Sequence, residues 1–90
     1  MFGLEDKALE KIREVLHANG VKKAFIFGSR AKGNYKMGSD VDLAVDANER
    51  QISYILNEET NLAYFFDVLN LEKIKNKNLL EHIKRVGIAL

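Results

Sequence analysis

Residues 40 to 46, Asp-Val-Asp-Leu-Ala-Val-Asp, alternate with a period of two, and no other stretch restricts the possible folds so tightly. Successive side chains of a strand point to opposite faces. Val41, Leu43 and Val45 therefore form one face, and Asp40, Asp42 and Ala44 the other. The apolar face belongs in a core. The opposite face then carries two carboxylates side by side, which repel each other and lose hydration unless a cation offsets both costs. The pattern predicts a half-buried strand with a place for a cation on its far side.

The rest of the chain supplies partners for that strand. Leu9, Ile12, Val15 and Leu16 recur at helical spacing from about Glu5 to Ala18, and Asn19-Gly20 provides the stop. Ala24-Phe25-Ile26-Phe27 is a short apolar run ending at glycine, a buried strand. Asn48 is placed to cap a short helix carrying Ile52, Ile55 and Leu56. The aromatic stretch Leu62 to Leu69 predicts a third strand with Asp67 inside it. Asn78 followed by Glu81 has capping-box spacing, and Leu79, Ile83, Val86 and Leu90 form one helical stripe. The short Gly-containing link between the first two strands suits an antiparallel return. The second and third, joined through a helix, suit a parallel pair. The expected architecture is α/β (α+β): a small mixed β-sheet with helices packed against it, in a single domain over residues 1–90.

Composition excludes several classes. There is no cysteine, so disulfides and thiolate-bound zinc are out, and His17 and His82 are too few for a histidine metal site. No apolar stretch approaches the roughly 20 residues that span a bilayer. With no signal-peptide pattern at Met1-Phe2-Gly3-Leu4, a cytoplasmic location is expected. A net charge of +1 speaks against holding nucleic acid by bulk electrostatics. The distribution says more. No acid occurs from Val15 to Ser39, where Lys22, Lys23, Arg30, Lys32 and Lys36 lie, whereas Asp40 to Glu72 holds eight acids and one base, Arg50. The basic block flanks Gly28-Ser29 and the acidic block opens at the aspartate pair. A site for a metal-bound polyphosphate is built in this way.

Gly28 permits positive φ and the close approach of another group. A helix beginning at Ser29 would turn its free N–H groups toward an anion. Alone, Gly-Ser is an ordinary strand-to-helix turn. A Walker A loop is excluded, because Asn34-Tyr35 follows Gly33 where Lys and Ser/Thr are required. An isolated Asp-x-Asp is commonly a surface feature too. Asp67 changes the balance: its neighbours Tyr64, Phe65, Phe66, Val68 and Leu69 all favour burial, so an acid there is expected to be buried and aimed at a metal. Asp40, Asp42 and Asp67 together suit two hard cations, Mg²⁺ above all, in a two-metal phosphoryl-transfer site.

Gly28-Ser29, ten intervening residues and Asp40-x-Asp42 resemble the signature of the minimal nucleotidyltransferases of the DNA polymerase β-like superfamily. The wording Phe27-Gly28-Ser29-Arg30-Ala31-x-Gly33 and Ser39-Asp40-Val41-Asp42-Leu43 is especially similar to that group. The resemblance implies a polymerase β-like palm fold and an ATP-dependent transferase. It assigns Gly28 and Ser29 to the triphosphate, with Arg30 and Lys32 assisting, and Asp40, Asp42 and Asp67 to Mg²⁺ and catalysis. Family members act as antitoxins beside a HEPN-domain ribonuclease toxin and transfer AMP from ATP to a toxin tyrosine. The rival expectation is a catalytically silent module that blocks a toxin by contact alone.

Overall fold

A computed structural model describes residues 1–90. Helix α1 covers Asp6–Ala18 and buries Leu9, Ile12, Val15 and Leu16. It stops where expected: the Asn19 side chain donates to Val15 O at 2.8 Å and Gly20 follows at φ +74°. Strand β1 (Ala24–Phe27) runs into a five-residue helix, α2 (Gly28–Lys32). Strand β2 is Val41–Val45. Asn48 caps α3 (Glu49–Tyr54) by accepting from the Arg50 and Gln51 amides. The helix then widens into a π-helical turn over Ile55–Glu59. Strand β3 (Phe66–Asn70), a 3₁₀ turn (Leu71–Lys73), α4 (Lys77–Val86) and a two-residue strand β4 (Ile88–Ala89) complete the chain.

The sheet order is β3-β2-β1-β4. β1 pairs antiparallel with β2 and with β4, and β2 pairs parallel with β3. The sheet is mixed, as the connection lengths predict. One face carries Ile26, Val41, Leu43, Val45, Phe66 and Val68, which join residues of α1, α3 and the π turn in the hydrophobic core. Each such aliphatic side chain contributes about 1.5–3 kcal/mol when fully buried, and this face is the main source of stability.

Three expectations need correction. Asn76, not Asn78, caps the last helix, its Oδ1 accepting from Asn78 N and Leu79 N. Leu90 does not continue the helical stripe. The helix ends at Gly87, where a Cβ would strike the Ile83 carbonyl, and the following residues become β4, with Leu90 N donating to Ala24 O at 3.0 Å. Finally, β3 starts at Phe66, later than Leu62. Its outer edge is met there by a side chain: Asn57, on the π turn, accepts from Phe66 N at 2.8 Å and donates to Phe66 O at 3.0 Å. No helix is long and apolar enough to cross a membrane.

Candidate active site

The second face of β2 carries Asp42. Phe27 of β1 and Asp67 of β3 are its register partners on either side, so Phe27, Asp42 and Asp67 form one row across three strands. Side chains opposite each other in a ladder share a face. Asp40 lies two residues before Asp42, just ahead of the strand, and is exposed. The row below is apolar: Ala44, fully buried, pairs with Phe25 and Leu69. The carboxylates therefore stand at one end of a face that is otherwise packed.

Their mutual influence is visible in Asp42. Its carboxyl is pushed above the ordinary carboxylate range, first by burial and then by the negative charges of Asp67 and Asp40. Two expectations change here. Asp67 is exposed, not buried; Phe66 and Val68 beside it point into the core while it takes the alternate, open side of an edge strand. The three carboxylates also do not close around a common point, since no group of three acidic or histidine side chains stands close enough to hold an ion as placed. What the fold supplies is the shared side and the register.

Gly28 closes the other flank. It takes φ +72°, and a Cβ there would collide with Oδ2 of Asp42. Only glycine fits between the turn and the carboxylate. Phe27 rather than Ser29 occupies the N-cap position of α2, so the Ser29 hydroxyl is not spent on capping. Lys32, at the last residue of α2, is exposed. The donor set suits a hard cation beside a phosphate: carboxylate oxygens from adjacent strands, and a cradle that a side chain would fill.

Arg30 departs from the phosphate-binding role expected of it. Its guanidinium is buried and donates from Nε and Nη2 to Ser39 O, at 3.2 and 2.9 Å, and from Nη1 to Phe2 O at 2.9 Å. Tyr35 and Tyr64 each lie with ring centroids 5.2 Å from its central carbon. A side chain held on every side cannot also follow a triphosphate. Nothing in the sequence marks Tyr64 as a neighbour of Arg30, which it reaches only through the tertiary fold.

A family model described as Polymerase beta, Nucleotidyltransferase matches residues 10–90. No curated protein matches the chain. Among solved structures it is similar to a toxin-antitoxin crystallised with AMP-PNP, at 22% identity and a TM-score of 0.74, over 89% of this chain and 69% of that one. It is similar as well to the toxin-antitoxin MntA-HpeT in a mutant with two aspartates changed to glutamate, at 21% identity and a TM-score of 0.71, with the same coverage. At these identities the likeness is one of fold.

Proposed function

We propose that this chain, which belongs to the polymerase beta nucleotidyltransferase family, transfers AMP from ATP to a tyrosine hydroxyl of a partner HEPN toxin and so serves as its antitoxin. Residues 1–90 act as one transferase unit in this reading. The observation that carries it is the meeting of Gly28 with the Asp42 carboxylate, in register with Asp67 on the next strand. A glycine at positive φ against the carboxylate leaves room for a phosphate bridged to that carboxylate through a cation.

Asp40, Asp42 and Asp67 would hold Mg²⁺, one ion or two. When bound, Mg²⁺ supplies charge neutralisation at the phosphates and acidifies the acceptor hydroxyl. Gly28 leaves the space in which the triphosphate approaches, the Ser29 hydroxyl donates to a phosphate oxygen, and Lys32 faces the β- and γ-phosphates. Asp67, the most open carboxylate of the row, accepts the proton as the acceptor oxygen bonds to the α-phosphorus and pyrophosphate leaves. Positioning and charge stabilisation account for most of the acceleration. The site lies open on the sheet face, so the toxin itself completes the acceptor side.

The rival reading is a silent module that neutralises a toxin by contact alone. Intact-mass spectrometry of the toxin, co-expressed with this chain, separates the two. Transfer adds one AMP to the toxin with the wild-type chain and none with Asp42→Asn. A toxin silenced yet unmodified would establish the contact mechanism instead.

A further inference from the structure

Arg30 is the only charged residue in the buried set, 3% exposed. It has no carboxylate partner; the ion pairs of the structure are Lys11–Glu14 and Lys73–Glu49, both elsewhere. Burying an unpaired guanidinium is costly, and this one is offset only by carbonyl oxygens and aromatic faces. Its partners belong to three different segments. Arg30 itself sits in α2, one residue beyond Ser29. Ser39, which accepts two of its hydrogen bonds, immediately precedes Asp40. Tyr64 lies on the segment that leads into β3 and Asp67, while Tyr35 belongs to the loop between α2 and β2. The third segment is the N-terminal one, through Phe2 O. One planar fork therefore ties α2 to the N-terminal segment, to the loop that ends at Asp40 and to the lead-in to β3.

We infer that Arg30 is a positioning residue: by gripping the Ser39 carbonyl, with the Tyr35 and Tyr64 rings against its guanidinium, it sets where Asp40 stands relative to Asp42 and the Gly28 turn. This inference rests on the transferase reading above and assigns Arg30 no contact with the nucleotide. Lysine cannot replace it. An ammonium is a point charge that does not present two parallel N–H groups to one carbonyl or stack as a plane against rings.

The test uses the full chain with its co-expressed toxin, comparing wild type, Arg30→Lys and Tyr35→Ala. Three quantities are measured: kcat for AMP transfer, KM for ATP, and Mn²⁺ affinity by electron paramagnetic resonance with the metal alone. In Arg30→Lys, kcat per folded molecule should fall about 10- to 100-fold, as displacement of a reacting group by about an ångström does. KM for ATP should stay within about threefold, and Mn²⁺ binding should weaken about tenfold through the displaced Asp40. Tyr35→Ala, which keeps the charge and removes one ring, should shift kcat and Mn²⁺ binding in the same direction by less. It decides the matter if Arg30→Lys does not fold. Losses that track the folded fraction alone, with kcat and Mn²⁺ affinity per folded molecule intact, would overturn the inference. So would a raised KM with kcat retained, the mark of a phosphate ligand. A wild-type chain that takes up neither Mn²⁺ nor ATP would overturn the transferase reading and this inference together; wild-type binding matched by both variants would overturn the inference alone.

Discussion

The two faces of β2 are made by the same five residues and obey opposite rules. On one, Val41, Leu43 and Val45 have no exposed surface and face the core between the sheet and α1, α3 and the π turn. On the other, Asp42 is held half-buried beside two like charges, against a glycine at positive φ. The first face lowers the free energy of the fold; the second raises it through burial and like-charge repulsion at Asp42. A strand can do both because its side chains alternate, so that each face is adjusted without altering the other.

That division can be broken from either side. The largest effect should come from the core face. Leu43→Ala removes a fully buried side chain in the middle strand pair and should cost about 3 kcal/mol, read from urea denaturation followed by circular dichroism. A loss below about 1 kcal/mol would mean that the face is less tightly packed than its burial indicates.

Gly28→Val lies at the boundary of the two. It forces a β-branched residue to positive φ and drives its Cβ into the Asp42 carboxylate. The strain should cost about 1–3 kcal/mol, and calorimetry with ATP and Mg²⁺ should show binding lost while the melt remains cooperative. Unchanged affinity would make the turn purely structural.

The smallest effect should carry the opposite sign. Asp42→Asn removes charge repulsion at the site face, so the metal-free protein should be unchanged or more stable, by no more than about 1 kcal/mol, in melts run with EDTA. AMP transfer should vanish, because an amide is a poor substitute for a carboxylate on a hard cation. The pH dependence sharpens this. The Asp42 carboxyl is raised in the folded chain, so the folded state binds that proton more tightly than the unfolded one. Its stabilising contribution is complete below the unfolded carboxylate pKa and disappears as pH rises through the folded value. Asp42→Asn should lose that part of the profile. A destabilised Asn variant with transfer intact would assign Asp42 to the fold.

How much of this was readable beforehand follows from how local each signal is. The alternation of Asp40 to Asp46, the Asn19-Gly20 stop and the Asn48 cap depend on residues a few positions apart, and each appears in the structure as expected. The antiparallel and parallel pairings follow from connection length. The misreadings depend on distance. The apolar neighbours of Asp67 predict burial, yet β3 lies at a sheet margin and its alternate side faces solvent. Arg30 follows Gly-Ser directly, and only the arrival of Phe2 and Tyr64, 28 and 34 positions away, turns it inward. The last strand was hidden because two residues after a helix carry no periodicity.

The Asn57 side chain has a consequence beyond the placing of β3. With its amide it does for Phe66 what a neighbouring strand's backbone would do, giving one donor and one acceptor at once. An exposed sheet margin invites a second molecule to add a strand, the first step of aggregation. Here the first rung of that margin is already occupied by the chain itself, and β3 is only five residues long. An incoming strand would find a ladder shortened at its start. The margin of β3 is thereby shielded at its first rung from strand addition by another copy of the chain.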